Sequence, residues 1–162
     1  MKFGAILTML AAAMLAGCAT TPATPAPAFY VMRHLNTPTG ERDPDLLPEG
    51  QRLAAALPIR LAAHPPRTIF VSDFHRTRQT AAAVAARWGL TPIVYDPADT
   101  PRLVARVRAA TGPVLIVGHS NTVPDIVAQL GGTRPAPLTH PDFGDLWILT
   151  RDGATQRVRI SE

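Results

Sequence analysis

From Phe29 onward, short apolar runs alternate with longer amphipathic stretches. Phe29–Met32, Thr68–Val71, Pro92–Tyr95 and Val114–Val117 lack the apolar/polar alternation of a half-wet strand. They read as strands covered on both faces, with Val114–Val117 the most hydrophobic and the most central. Gly50–Ala63, Arg76–Trp88, Pro101–Ala110 and Val123–Leu130 read as helices between them. The first is bent or interrupted at Pro58, the second is closed by Gly89, and the third starts on a proline, where proline is tolerated. Asp43–Gly50, with two prolines, reads as loop. Leu146–Thr150 and Gln156–Ile160 flank Asp152-Gly153, a strong hairpin turn. The repeated strand–helix alternation predicts a single three-layer α/β domain, with a mostly parallel sheet and helices on both faces. Ligands of such sheets gather at the carboxyl ends of the strands. Arg33-His34, Ser72-Asp73 and His119-Ser120 all fall at that edge.

The beginning of the chain has a different pattern. Met1-Lys2 precedes an apolar run, Phe3–Ala16, too short for a membrane span of roughly 20 residues and suited to a signal peptide. It ends in Leu15-Ala16-Gly17-Cys18, which resembles the lipobox of bacterial lipoproteins and implies lipidation of Cys18, the only cysteine. The expected division is a signal peptide over 1–17, a Pro/Ala/Thr-rich tether over 18–28 and a domain over 29–162. The mature protein is expected in the cell envelope, facing the periplasm and held to a membrane by its lipid. Ala19-Thr20 lacks the aspartate that retains lipoproteins in the inner membrane, which favours the outer one.

Charge adds little. The net charge is +4, and Lys2 is the only lysine, so the mature chain carries 15 arginines against 12 acids. No basic stripe interleaved with aromatics is present, which argues against a nucleic-acid partner. Oligomeric state is not legible. Of the five histidines, His64 reads as a surface residue at a helix end and His140 lies in a proline-rich loop. His34 and His119 each follow directly on a hydrophobic strand, and Arg33 adjoins one of them.

Here the sequence becomes specific. Val31-Met32-Arg33-His34-Leu35-Asn36-Thr37 resembles the Arg-His-Gly signature of the histidine phosphatase superfamily. Ser72-Asp73-Phe74-His75-Arg76-Thr77-Arg78-Gln79-Thr80-Ala81 is similar to that family's second arginine motif, and Val117-Gly118-His119-Ser120-Asn121 to its third. Leu46–Gly50 followed by a helix resembles the family's early connection. The matches keep the family's order from Phe29 to about Thr150. The resemblance implies a phosphoglycerate mutase-like fold and a phosphatase that uses neither metal nor cofactor. His34 is then the nucleophile, forming a phosphohistidine that water hydrolyses. The substrate is a phosphorylated small molecule or a phosphoprotein.

The chemistry of the set is consistent with that role. A phosphate ester repels nucleophiles through about two negative charges near neutral pH. Catalysis therefore spreads that charge onto fixed donors and holds a nucleophile in line. Arg33 and Arg76 offer planar forks that match phosphate oxygens. His119 is a further donor, Asn36 is expected to add its amide, and nearby positive charge keeps His34 neutral.

Two departures from the family pattern follow. Leu35 stands where the family has glycine, and its side chain is expected to reshape the pocket wall. The acid that protonates the leaving oxygen is expected at Asp96, ahead of Asp99 and Asp125, because Asp96 lies closest to a strand's carboxyl end. Glu41, Asp43 and Asp45 are expected to be solvated loop residues, and His75 to lie beside the pocket at most.

Other classes fit less well. Gly118-His119-Ser120-Asn121-Thr122 lacks the final glycine of a nucleophile elbow, and no zinc motif is present. The remaining alternative is a catalytically impaired envelope lipoprotein that only binds an anion.

Overall fold

The computed structural model describes residues Ala26–Ser161. The predicted signal peptide, Cys18 and most of the tether lie outside the described residues. Six strands and four helices follow in chain order: β1 (Phe29–Arg33), α1 (Pro48–Arg60), β2 (Thr68–Ser72), α2 (His75–Trp88), β3 (Ile93–Tyr95), α3 (Thr100–Ala109), β4 (Val114–Gly118), α4 (Val123–Gln129), β5 (Asp145–Leu149) and β6 (Thr155–Arg159). Each predicted element is present, with ends shifted by one to three residues. Pro58 sits inside α1, in its last turn, and the helix runs through it. Among the described residues no helix is long and apolar enough to cross a membrane.

The six strands form one sheet in the order β3-β2-β4-β1-β5-β6. β3, β2, β4 and β1 are parallel, while β5 and β6 return antiparallel. Side chains alternate between two apolar layers. Val31, Phe70, Ile116 and Trp147 pack with Leu103, Val107, Ile126 and Val127 from α3 and α4. Met32, Ile69, Val71, Leu115 and Leu146 pack with Leu53, Leu57, Ala81 and Val84 from α1 and α2. Central strands β1 and β4 are buried along their whole length, as their uninterrupted hydrophobicity demands.

This order fixes where a ligand can sit. The chain moves one way across the sheet from β1 through β2 to β3, and then turns back through β4 to β5. Right-handed crossovers place helices of opposite travel on opposite faces. The connections leaving adjacent β1 and β4 therefore diverge, and a crevice opens between their carboxyl ends. His34 follows β1 and His119 follows β4. Close packing at this edge depends on glycine. A Cβ on Gly118 would lie 2.8 Å from Thr122 Oγ1, and one on Gly50 would lie 2.8 Å from the backbone oxygen of Asn36.

Candidate active site

The crevice is a hollow of about 270 Å³ whose lining includes Arg33, His34, Arg76 and His119. Four residues predicted from distant parts of the sequence thus share one site. Arg33, His34 and His119 are only 8%, 5% and 8% exposed, so each must be held by other groups.

His34 continues the β1–β4 ladder, its N–H donating to the Gly118 carbonyl at 2.9 Å. Its Nδ1 lies 2.9 Å from the Leu35 carbonyl. Only a protonated Nδ1 can bond there, so a neutral ring keeps its lone pair on Nε2. Burial above all, then the charges of Arg33 and Arg76 and the neighbouring His119, push the His34 pKa down to about 3. His119, its ring centre 5.5 Å from that of His34, is pushed down to about 4 by burial and then by the two arginines. Sequence reasoning named nearby positive charge as the reason for a neutral His34; burial is the larger cause.

The two guanidinium groups are held by loops. Arg33 donates from one terminal nitrogen to the carbonyls of Thr139 and Asp142, at 2.7 and 3.1 Å, and stacks 4.1 Å from the Phe143 ring centre. Its buried Nε has no partner in the protein. Arg76 lies in the first turn of α2. It donates from one terminal nitrogen to the Arg42 carbonyl at 3.0 Å and to Asp43 Oδ1 at 3.1 Å. Its other terminal nitrogen is 3.5 Å from His119 Nδ1.

Some expectations change. Leu35 does not reshape the wall, because its side chain is fully buried in the apolar layer under α1 and α2. Its N–H donates to Thr80 Oγ1 at 3.0 Å. Asn36 is not among the residues lining the hollow; its amide turns to Glu49 Oε2, 3.3 Å away, while its backbone packs on Gly50. Asp96 does not line it either. It accepts from the Ala98 N–H at 2.9 Å, stabilising the turn after β3, and borders a separate hollow with Asp99 and Arg102. A strand end alone is not sufficient, since β3 lies at the sheet edge with two strands, β2 and β4, between it and β1.

Other residues were missed as parts of the site. Ser72 is fully buried, and its Oγ is 2.7 Å from His119 Nε2; its place at the end of β2 was the available signal. Asp43, expected to be solvated, is bonded to Arg76. Glu41 and His140 join the rim, with His140 Nε2 3.2 Å from the Thr37 carbonyl. Ser120 also lines the rim. Among the described residues, no group of three His, Cys, Asp or Glu is placed to hold a metal.

Comparison with known proteins agrees with this arrangement. The family model of the histidine phosphatase superfamily (branch 1) matches residues 29–98, the stretch that holds the first two motifs. Curated protein sequences give no match. Among solved structures, the protein histidine phosphatase SixA complexed with tungstate superposes with a TM-score of 0.61 at 20% identity, over 80% of this chain and 93% of that one. A mycobacterial glucosyl-3-phosphoglycerate phosphatase complexed with inorganic phosphate gives 0.63 at 18% identity, over 85% and 98%. These likenesses speak for the fold, and the motif-bearing stretch speaks for the lineage. Over residues 29–98 the chain is similar to the histidine phosphatase superfamily.

Proposed function

We propose that the protein is a phosphatase that transfers a phosphoryl group to His34 Nε2 and then to water. The observation that carries this reading is the convergence of Arg33, Arg76, His119 and a neutral His34 on one phosphate-sized hollow, with Arg33 Nε buried and unpartnered. A buried donor without an acceptor costs about 1–3 kcal/mol. A phosphate oxygen is the acceptor that fits it.

The steps follow from the geometry. The Nδ1–H bond to the Leu35 carbonyl orients the ring, and Nε2 attacks phosphorus in line. The N–P bond forms as the ester P–O bond breaks. Arg33 and Arg76 take the charge on the equatorial oxygens. The bound dianion favours protonation of His119, whose Nδ1–H then donates to the phosphoryl group while Ser72 accepts from Nε2–H. Glu41, the one carboxylate among the lining residues, takes the role expected of Asp96 and protonates the leaving oxygen. Water, losing a proton to Glu41, then attacks phosphorus, the N–P bond breaks, and phosphate leaves with His34 neutral and Glu41 protonated again.

The substrate class is read from the rim. The hollow is small and open, and its rim is mostly polar, with Arg42, Glu41 and His140 beside Pro38 and Pro44. It suits a phosphate presented on an exposed group, with phosphohistidine on a protein favoured because its leaving nitrogen needs little acid help. The described fold enters at Ala26, beside the amino end of β1 and opposite this hollow. A lipid on Cys18 would hold the protein to the envelope membrane. Labelling with a radioactive fatty acid, lost in Cys18→Ser, tests the anchor.

The decisive experiment is turnover of an activated aryl phosphate and of a phosphohistidine protein in the presence of chelator, with trapping of the phosphorylated residue by mass spectrometry. Phosphate on His34 is the expected result. Binding of phosphate without release from any ester would replace the enzyme with the anion-binding alternative.

A further inference from the structure

The first turn of α2 carries Arg76, yet that helix has no cap of its own. The preceding residue, Phe74, is extended and offers no side-chain acceptor to the first turn. The acceptor comes instead from the β1–α1 connection. Asp43 Oδ1 and Oδ2 lie 3.0 and 3.1 Å from the His75 N–H, and Oδ1 also accepts from Arg76 at 3.1 Å. A carboxylate at a helix N-terminus satisfies an orphan donor and opposes the helix dipole. Here one carboxylate does that and also grips the arginine one residue further on.

We infer that Asp43 is a positioning residue for Arg76. Rotation of a guanidinium is fixed when one edge is bonded and one face is packed. For Arg76 the edge is bonded by Asp43 and the Arg42 carbonyl, and the face lies 4.2 Å over the Phe74 ring centre. The second terminal nitrogen is left beside His119, toward the hollow. An exposed ion pair would contribute little. This pair is partly buried, with side chains 14% and 30% exposed, and its carboxylate is itself tied to the helix backbone. The loop that brings Asp43 also brings Glu41 and Arg42 to the rim, so rim and arginine are set together.

This inference rests on the oxyanion role proposed for Arg76, and a double-mutant cycle separates the two. Tungstate affinity, measured by calorimetry, is compared in the wild type, Asp43→Ala, Arg76→Ala and the double variant. Asp43→Ala is expected to weaken binding about 10-fold, and to change it less than about 2-fold once Arg76 is gone. Asp43→Asn recovers most of the affinity, since its amide oxygen still accepts from Arg76. The cap contribution behaves differently, lowering the melting temperature equally in both backgrounds. Unchanged affinity in Asp43→Ala, or an equal loss with and without Arg76, overturns the inference. Wild-type turnover, measured separately, decides the phosphatase reading, so either conclusion can fail alone.

Discussion

A hollow far larger than the active-site crevice lies at the opposite edge of the sheet from His34. It measures about 900 Å³, more than three times the active-site crevice, and is lined by Ala63, Pro65, Trp88, Leu90 and Pro113 together with Arg67 and Arg151. Its arginines are occupied separately. Arg151 donates to the Ala110 carbonyl at 3.1 Å, and the stem of Arg67 lies against Gly112. The smaller hollow has the reverse character, with donors from β1, α2 and the end of β4 pointing at one space. Size here reflects how the helix-to-strand connections spread. Chemistry follows from donors that converge without acceptors, and in a parallel sheet the topology creates that convergence at the carboxyl edge.

The strongest way to break this contrast is to remove the nucleophile. His34→Ala should lower kcat on an aryl phosphate by at least about 10⁴-fold, with no phosphorylated histidine trapped. Residual turnover within 100-fold of wild type would move the chemistry off His34. Arg76→Ala comes next. Loss of one preorganised charge donor costs about 10²–10³ in rate, and a loss below 10-fold in kcat/KM would mean the crevice binds its anion without that fork.

Acid stability tests the same site without a substrate. In the unfolded chain the two histidines take up protons near pH 6.5, whereas in the fold they stay neutral until about pH 3 for His34 and about 4 for His119. Between those limits the unfolded state binds more protons, so stability is full above about pH 6.5 and falls as the pH drops. The combined loss at pH 5 relative to pH 7 is on the order of 3 kcal/mol. Urea melts of His34→Asn/His119→Asn should show a flatter profile; a slope equal to wild type would sink the claim of buried neutral rings.

How far the sequence discloses the molecule depends on the range of the signal. Apolar runs such as Val114–Val117 and helix punctuation such as Gly89 are local, so the elements and the layer architecture were legible. His34, Arg33, Arg76 and His119 were legible because each sits at or just after a strand end, a position the topology brings together. Asp96 shared that local feature and still lies elsewhere, because strand order decides which ends are neighbours and strand order is not local. Asn36 failed at shorter range, where packing of its backbone on Gly50 turned its amide to Glu49. Asp43 and Ser72 act through contacts 33 and 47 residues away in sequence; the end of β2 marks Ser72 as near the catalytic edge, but nothing local names His119 as its partner or Arg76 as that of Asp43.

Ser72→Ala gives a milder loss. It removes the partner of His119 Nε2 while keeping volume and the β2 backbone. A buried hydrogen bond to a group that becomes charged is worth about 1.5 kcal/mol, so kcat/KM should drop about 10-fold, chiefly through kcat. An unaltered rate would show that the short Ser72 contact only fills space.

The smallest effect is expected at the large hollow. β1 and β4 each span five residues, and a strand rises about 3.3 Å per residue, so their amino ends lie roughly 15 Å from the catalytic edge. Exposed charges separated by more than a Debye length of about 8 Å are largely screened. Arg67→Ala and Arg151→Ala should therefore leave kcat/KM within about 2-fold of wild type, and their pH–rate profiles should superpose. A 10-fold loss in either would mean that this edge is coupled to the crevice through the buried central strands. The division between a large inert hollow and a small reactive one would then have to be abandoned.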